Sequence, residues 1–288
     1  MTGATTGGMT GGMTGGQRRL AQVDVFGDGP GYGNPVAVVI DADGLDDLEL
    51  QRFANWTNLS ETTFLLPPTQ PGADYRVRIF TTSRELPFAG HPTLGSAHAW
   101  LEAGGGARER VVQECAAGLI ELRRDSGGRL AFAAPPLVRS GPLDEDTLAQ
   151  IVATLGIERQ EIVDHAWTDN GPGWATVLLG SAERVLGLSP TPEKALDIGV
   201  VGPHPDGTPE VRAFVVEDGA CWEDPVTGSL NAGVAQWLLG SGRLTAPYVA
   251  RQGTALGRTG RVHVDRDPDG TVWVGGQTRT VVSGTVSP

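Results

Sequence analysis

The sequence predicts an α+β fold of two pseudo-symmetric lobes, each a mixed, curved sheet or barrel of strands around one central helix. Three observations lead to this prediction. The second half of the chain repeats motifs of the first half at a nearly constant spacing. Each half contains one segment of helical length that is apolar on all sides. Short runs of β-branched residues, separated by turn sequences, flank both of these segments.

The chain divides at two points. Residues 1–19 are almost entirely Gly, Thr and Met, with MTGG repeats typical of an expression leader. A segment of this composition buries too little apolar surface to offset the entropy of ordering, so we expect 1–19 to be a disordered leader, whether added or native. We expect the N-terminal lobe to span 20–140 and the C-terminal lobe to span 141–288.

The internal repeat consists of three segments that recur in the same order about 140 residues later. The first copy of each segment shares Gly, Pro, Glu, Asp or Arg residues with the second at matching positions. Three ordered matches at one spacing favour a duplicated unit over the chance similarity of glycine-rich sequence. The matched ranges are 29–32 with 171–174, 85–104 with 223–242, and 118–128 with 260–270.

Short runs of β-branched residues predict strands in both halves of the chain. Two turn sequences, Asp125-Ser126-Gly127-Gly128 and Asp267-Pro268-Asp269-Gly270, each lie between two such runs. Turns of this composition join neighbouring antiparallel strands, so we expect a hairpin at each. The predicted strand runs are 36–40, 77–80, 120–123, 177–179, 212–216 and 262–265.

Four segments have the properties of helices. Residues 46–56 and 144–155 have helical periodicity and acidic residues in the first turn, where the helix dipole favours them. Residues 92–103 and 230–240 carry few charges and have small or apolar residues on every face. A helix that is apolar all round is a buried helix. We therefore expect the last two segments to be the central helices of the two lobes.

The charge balance and the cysteine count exclude several classes of function. The 288 residues include 22 basic and 34 acidic ones, for a net charge of −12. This acidity argues against nucleic acid or an anionic membrane as a partner, because both require clustered Lys and Arg. No apolar run approaches the roughly 18 residues of a membrane span. The two cysteines, Cys115 and Cys221, are too few for a disulfide framework and favour the reducing cytoplasm.

The turns before the two buried helices are the first candidate site. They are Glu85-Leu86-Pro87-Phe88-Ala89-Gly90-His91 and Glu223-Asp224-Pro225-Val226-Thr227-Gly228-Ser229. We expect Pro92 at the first helical position of one helix, and Ser229 or Thr227 as the N-cap of the other. If both helix starts meet in one cleft, their free N–H groups would bind a small carboxylate without Lys or Arg. Ordinary caps facing solvent are the alternative.

Glu61 is the second candidate, within Asn58-Leu59-Ser60-Glu61-Thr62-Thr63-Phe64-Leu65-Leu66. A carboxyl group that enters an apolar strand tends toward burial, and burial raises its pKa. A general base that works near neutral pH needs such a shift. From the residues alone, a solvated glutamate at a strand end remains the favoured alternative.

Three motifs, NLSETTF at 58–64, ELPFAGHPTLG at 85–95 and EDPVTGS at 223–229, resemble in residues and order those of the PhzF-like isomerases. The shorter matches 24–26, 33–35 and 251–253 extend the resemblance over about 20–286. The resemblance implies the diaminopimelate-epimerase fold, in which two pseudo-symmetric lobes each wrap a strand barrel around a central helix. It places the active site between the lobes.

The resemblance also implies a role for each matching residue. Glu61 would be the catalytic acid/base, while His91 and Asp224 would position or polarise the substrate. The implied substrate-binding residues are Ser60, Gly90, Gly228 and Ser229. The type reaction of the family isomerises a dihydro-hydroxyanthranilate in phenazine biosynthesis. A proton leaves one carbon and returns to another on the same face, so one carboxyl group suffices.

Related racemases use two opposed cysteines, at turn positions that are Ala89 and Thr227 in this chain. Neither side chain is an acid or base at neutral pH, which favours single-base isomerisation over racemisation. The loop at Thr82-Ser83 departs from the family pattern, which usually has a proline after the strand. This departure bears on substrate choice and leaves the named site residues intact.

We therefore expect an isomerase that moves a proton within a small unsaturated cyclic carboxylic or amino acid. Two alternatives stay open: an isomerase of an alkylproline-antibiotic precursor, and a non-catalytic small-molecule-binding protein of the same fold. The chain has no dinucleotide-binding, zinc-protease or paired-cysteine motif, so we expect no cofactor and no metal. The resemblance further implies a homodimer.

Overall fold

The fold is a mixed β-sheet structure with few helices. The computed structural model describes residues 16–191, 194–217 and 219–288. The strands are, in chain order, β1 (Arg18–Val25), β2 (Asn34–Ile40), β3 (Glu61–Leu66), β4 (Tyr75–Phe80), β5 (Glu85–Leu86), β6 (Arg110–Cys115), β7 (Gly118–Arg124), β8 (Leu130–Ala133), β9 (Arg139–Gly141), β10 (Ile162–Asp169), β11 (Ala175–Leu179), β12 (Leu196–Pro203), β13 (Pro209–Glu217), β14 (Ala220–Asp224), β15 (Tyr248–Gln252), β16 (Gly260–Arg266), β17 (Val272–Gly276) and β18 (Thr278–Val286). The helices are α1 (Asp47–Thr57), α2 (Gly90–Trp100), α3 (Glu145–Leu155), α4 (Ala182–Leu186) and α5 (Gly228–Gly240).

The predicted strands and hairpins are confirmed. Each of the six predicted runs lies within a strand of the structure. The antiparallel pairs β7–β8 and β16–β17 are joined by the two predicted turns. Gly128 and Gly270 complete these turns with φ of 83° and 95°. Only glycine adopts this left-handed conformation without a steric cost, which explains why both turns end in Gly.

The two surface helices begin where the sequence indicated. The Asp46 side chain accepts a hydrogen bond from the Glu49 N–H, and the Glu49 carboxylate accepts one from the Asp46 N–H. This capping box satisfies two N–H groups that the helix itself leaves free, and it fixes the start of α1. Asp144 caps α3 in the same way through the Thr147 N–H.

Helix α2 begins earlier than predicted, and of the two N-caps predicted for α5 the structure has Thr227. The prediction placed Pro92 at the first helical position, but α2 begins at Gly90, with Ala89 as its N-cap. Pro92 fits the third position because the first-turn N–H groups have no partner within the helix. Helix α5 begins at Gly228, so Ser229 lies inside the helix and Thr227 is the N-cap. The Thr227 side chain makes no capping hydrogen bond.

The order of strand pairing in the first half of the chain recurs in the second. The parallel pairs β2–β3 and β4–β6 correspond to β11–β12 and β13–β15, and the intervening pairs are antiparallel in both halves. Helix α2 lies against β1, β2 and β3, while α5 lies against β10, β16 and β17. Both helices contribute to the largest cluster of buried apolar side chains. No helix among the described residues is long and apolar enough to cross a membrane.

The first strand begins inside the segment predicted to be a disordered leader. Residues 1–15 of that segment lie outside the described residues, but Arg18 and Arg19 form part of β1. They pair with Val286 and Thr285 of β18, which gives their backbone groups hydrogen-bond partners. Arg19 also forms a salt bridge with Asp41. The folded part of the chain therefore includes Arg18 and Arg19, two residues before the boundary predicted at residue 20.

Candidate active site

The starts of helices α2 and α5 touch each other. A Cβ atom added to Gly90 would lie 2.6 Å from the Cα and carbonyl carbon of Gly228, and one added to Gly228 would lie 2.8 Å from the Gly90 Cα. Carbon atoms in contact normally lie about 3.5–4.0 Å apart. Only two glycines allow this approach, which brings the N–H groups and positive dipole ends of both helices together.

A cavity of about 400 Å³ opens at this contact. Its volume is in the usual range for a small-molecule site. The first half of the chain contributes 58–61, 81–84, 86 and 89–91 to its lining, and the second half contributes 172, 174, 197, 215, 222, 224 and 227–229. All seven site residues inferred from the sequence therefore line one cavity. The alternative of two separate, solvent-facing caps does not hold.

Glu61 and His91 face each other in this cavity. Glu61 is the first residue of β3, His91 is the second residue of α2, and Glu61 Oε2 lies 3.4 Å from His91 Nε2. The side chains are only 15% and 3% exposed. Neither of these two atoms makes a hydrogen bond to any described residue. The favoured alternative of a solvated strand-end glutamate is therefore wrong, because the apolar strand draws the carboxyl group inside.

Asp224 lies in the same cavity, at the end of β14. Its Oδ1 accepts hydrogen bonds from Asn34 Nδ2 at 2.8 Å and from Ser60 Oγ at 3.4 Å. Its Oδ2 accepts one from Thr227 Oγ1 at 2.5 Å. Three donors therefore stabilise the ionised form of Asp224, whereas Oε2 of Glu61 has no donor among the described residues.

Burial and charge divide the roles of these groups. Burial raises the pKa of Glu61 well above its ordinary value, and the nearby charge of Asp224 raises it further. Burial also raises the pKa of Asp224, but its hydrogen bonds oppose the effect and leave it at about 6. Burial lowers the pKa of His91 to about 3, so the imidazole is neutral near pH 7. Burial and the charge of Asp224 therefore both favour the protonated form of Glu61, hydrogen bonds favour the ionised form of Asp224, and His91 is uncharged near pH 7.

Ser229 is positioned by the loop before β11. Trp174 Nε1 donates a hydrogen bond to Ser229 Oγ at 3.0 Å, and Asn170 Nδ2 donates one to the Ser229 carbonyl at 2.9 Å. Because the hydroxyl accepts from Trp174, its own proton remains free to donate. The cavity thus offers a hydroxyl donor beside the two helix starts.

The sequence analysis quoted Asn34 and Gln252 in motifs but gave them no role. Buried Asn34 donates to Asp224 and to the Val226 carbonyl, and its Nδ2 lies 3.2 Å from His91 Nδ1. Buried Gln252 accepts from the Thr227 N–H and donates to Thr227 Oγ1. The signal was their place in Gly33-Asn34-Pro35 and Arg251-Gln252-Gly253, since a polar residue between such neighbours holds a turn together.

Arg84 is a further residue that the sequence analysis missed. The expectation was a site whose positive potential came from the helix starts without Lys or Arg. The structure places exposed Arg84 in the cavity lining, on the loop between β4 and β5. No sequence signal distinguished it from the many other surface arginines.

The described residues contain no group of three His, Cys, Asp or Glu side chains arranged to hold a metal ion. Cys115 and Cys221 are free thiols, and neither lines the cavity. Ala89 and Thr227, the positions of the racemase cysteines, are the N-caps of α2 and α5. The pair that could carry two-base chemistry is thus replaced by side chains that do not exchange protons near neutral pH.

Comparisons with known proteins identify relatives of this chain. The family model described as "Phenazine biosynthesis-like protein" matches residues 23–285. "Antisense-enhancing sequence 1" of Schizosaccharomyces pombe is 36% identical over 288 residues, covering 91% of this chain and 96% of the relative. Trans-2,3-dihydro-3-hydroxyanthranilate isomerase of Pseudomonas fluorescens is 39% identical over 174 residues, which cover 58% of this chain and 59% of that enzyme.

Solved structures share the fold. A Bacillus anthracis phenazine biosynthesis protein of the PhzF family has a TM-score of 0.78 at 22% identity, with 94% of this chain and 99% of that one covered. A hydroxyproline epimerase from Agrobacterium vitis has a TM-score of 0.61 at 16% identity, covering 95% and 93%. The fold is therefore of the epimerase type, and with the named relatives it defines an enzyme of the isomerase class. The chain belongs to the phenazine biosynthesis-like, or PhzF, family.

Proposed function

We propose that this chain moves a proton between two carbons of a small unsaturated cyclic carboxylic or amino acid, with Glu61 as the single acid/base. The observation that carries the proposal is the buried Glu61 carboxyl group, whose Oε2 atom faces His91 in the cavity without a hydrogen-bond partner among the described residues. A buried, unsatisfied polar atom costs about 1–3 kcal/mol. Such a cost is typical of functional sites, where a ligand supplies the missing partner.

The raised pKa suits Glu61 to carbon acid chemistry. A carboxylate with a raised pKa is a stronger base, and its protonated form persists to a higher pH than that of an ordinary glutamate. The same group can therefore take a proton from one carbon and return it to another on the same face. Neutral His91 cannot supply a charged acid at this pH, so its contribution is to orient the Glu61 proton and the substrate.

The start of the two helices is the proposed binding site for the substrate carboxylate. The N–H groups at Gly90 and Gly228 lie where the two backbones touch, and Ser229 adds a hydroxyl. Two converging dipoles favour a negative charge more than one does. A carboxylate held there would lie in the same cavity as Glu61 and Asp224.

The two-lobe division at 140/141 and the homodimer remain part of the proposal. The support for two lobes is the repeated order of parallel and antiparallel strand pairs around α2 and α5. The support for the substrate class is the name of the Pseudomonas fluorescens relative, a trans-2,3-dihydro-3-hydroxyanthranilate isomerase. That compound is the first substrate to test.

The substitution Glu61→Gln tests the proposal. It keeps the size of the side chain and removes its acid/base capacity. With trans-2,3-dihydro-3-hydroxyanthranilate and a panel of related unsaturated cyclic acids in D₂O, proton NMR would follow both product formation and deuterium uptake. We expect the variant to lose at least about 10³-fold in rate, within the range for general acid–base catalysis.

Glu109→Gln is the matched control, because Glu109 is exposed and lies outside the cavity. It removes the same charge and should keep the wild-type rate. If Glu61→Gln formed product and took up deuterium at the wild-type rate, Glu61 would not be the proton carrier. A wild-type protein that converts none of the panel would contradict the substrate class.

A further inference from the structure

Arg84 is the single Arg or Lys side chain among the described residues that line the cavity. The same lining holds three acidic side chains, Glu61, Asp197 and Asp224. In a chain with a net charge of −12, Arg84 is thus the one permanently cationic side chain that the described lining offers to an anionic substrate. The Arg84 guanidinium therefore differs in charge from the acidic side chains that line the same cavity.

The fold gives no structural task to this guanidinium. Within the described ranges, no carboxylate pairs with it and no hydrogen bond from it is found. The adjacent Glu85 carboxylate is already held by Arg78 through two hydrogen bonds of 2.8 and 2.6 Å. Arg78 also pairs with Asp47. The two arginines thus differ: Arg78 is fully engaged in the fold, whereas Arg84 remains available to a ligand.

The backbone that carries Arg84 is held firmly. The Arg84 N–H donates to Thr81 Oγ1 at 3.0 Å, and the Arg84 carbonyl accepts from the Thr81 N–H at 2.8 Å. From α1, Gln51 and Asn55 donate side-chain hydrogen bonds to the carbonyls of Thr81 and Thr82 at 3.0 and 2.9 Å. These hydrogen bonds, within the loop and from helix α1, fix the loop backbone and so fix the point at the cavity from which the Arg84 side chain extends.

The cavity also has an apolar surface between its charged groups. Val215 pairs with Asp197 on β12 and with Trp222 on β14, so these three side chains form one row across neighbouring strands. Trp222 is 46% exposed although it is a large aromatic residue. An exposed aromatic side chain at a cavity is suited to contact with the face of an unsaturated ring.

We propose that Arg84 binds a second anionic group on the substrate, and that the preferred substrates are small cyclic acids with two anionic groups, such as dicarboxylates. This inference rests on the proposed function, because it assigns the first carboxylate to the helix starts at Gly90 and Gly228. The guanidinium forms a charge-assisted, two-pronged contact with a carboxylate. The ring of the substrate lies against Trp222 and Val215.

The test compares benzoate with two dicarboxylates, isophthalate and terephthalate, as ligands of the full chain. Titration calorimetry gives the dissociation constants, and Trp174 and Trp222 in the lining provide a fluorescence signal for the same binding. We expect at least one dicarboxylate to bind the wild-type protein roughly 10- to 100-fold more tightly than benzoate, the ratio expected for one charge-assisted contact.

Arg84→Gln should abolish this preference and leave benzoate binding unchanged. Arg52→Gln is the matched control, because it removes the same charge from the exposed face of the neighbouring helix α1, outside the cavity lining. It should keep the preference. The circular dichroism spectrum of Arg84→Gln verifies that the variant is folded. Any difference from the wild type then reflects ligand binding alone.

The outcomes separate this inference from the proposed function. A dicarboxylate preference that survives in Arg84→Gln overturns the inference, as does a wild-type protein that shows no such preference or binds none of the three probes. Equal loss of benzoate and dicarboxylate binding in Arg84→Gln also overturns it, because Arg84 would then hold the first carboxylate. Benzoate binding that is unchanged in Arg84→Gln shows that Arg84 does not hold the first carboxylate, so a missing dicarboxylate preference would then overturn this inference and leave the proposed function standing.

Discussion

Alanine at position 90 would place its Cβ atom 2.6 Å from two backbone atoms of Gly228 and 2.8 Å from the Ser229 nitrogen. These partners are main-chain atoms at the start of a buried helix, so no side-chain rotation can relieve the contact. The helix starts would have to separate by about 1 Å to restore an ordinary carbon–carbon distance. Gly90→Ala therefore tests whether the close approach of α2 and α5 is a requirement of the fold.

The expected cost follows from that displacement. Overpacking by one methyl group typically costs about 1–3 kcal/mol, and a contact between two rigid backbones belongs at the upper end. We expect Gly90→Ala to lower the free energy of unfolding by about 3 kcal/mol. A displacement of 1 Å at a catalytic site can also cost about 100-fold in rate. Turnover should therefore fall further than the loss of stability alone explains.

Urea denaturation followed by tryptophan fluorescence measures the stability change. Gly240→Ala is the control. Gly240 is the last residue of helix α5, which begins at Gly228, and a Cβ atom added to Gly240 would meet nothing within 4 Å. That substitution should stabilise the protein by up to about 1 kcal/mol, the difference in helix propensity between Gly and Ala.

The double variant provides the strictest test of the contact. Gly90→Ala and Gly228→Ala strain the same interface, so the second substitution should cost less once the first has separated the helices. Strictly additive costs would mean that the two glycines act independently. A Gly90→Ala protein as stable as wild type would refute the reasoning from the 2.6 Å distance.

Two pH predictions follow from the buried groups. Burial raises the pKa of Asp224 from 3.8 to about 6. The contribution of Asp224 to the free energy of unfolding therefore falls as pH rises from 3.8 to 6, because the carboxyl group ionises more readily in the unfolded chain. This effect is absent in Asp224→Asn. The free energy of unfolding of the variant, minus that of the wild type, should therefore be about 3 kcal/mol larger at pH 8 than at pH 3.5, measured by urea denaturation. A difference that does not change with pH would contradict the prediction. Burial lowers the pKa of His91 from 6.5 to about 3, so the chemical shifts of its ring nitrogens should remain those of a neutral imidazole between pH 5 and 8. Ring-nitrogen shifts of an imidazolium at pH 5 would show a solvated His91 instead.

Motifs with local causes were predictable from the sequence. Hairpin turns at 125–128 and 267–270 require glycine at fixed positions, and the caps at Asp46 and Asp144 act on N–H groups three residues away. The buried helices were recognisable because nearly every face is apolar. Their common contact was also foreseeable as a possibility, since an internal repeat places two similar turns in related positions.

Other features depend on contacts between residues that are far apart in the sequence, and no local sequence pattern indicates such contacts. In the sequence, Arg84 does not differ from other surface arginines. Only the structure shows that the neighbouring Glu85 carboxylate forms its salt bridge with Arg78 instead. From its own segment alone a solvated Glu61 is the favoured interpretation, and only the family resemblance implies a catalytic role, yet the surrounding elements bury the side chain. The start of α2 was placed two residues too late, at Pro92 rather than Gly90, whereas Thr227 was one of the two N-caps predicted for α5. The contact of Gly90 with Gly228 lies at both helix starts, and no local pattern shows it.

The pairing of β1 with β18 has a consequence for how the chain folds. Arg18 lies opposite Val286, and Val25 lies opposite Thr278, so one edge of the first strand is matched by residues more than 250 positions later. The other edge pairs with nearby β2. During synthesis, β1 can join its hairpin early, but its remaining hydrogen bonds wait until residues 278–286 have emerged. Contacts so distant in sequence slow folding, so we expect the pairing of β1 with β18 to form late.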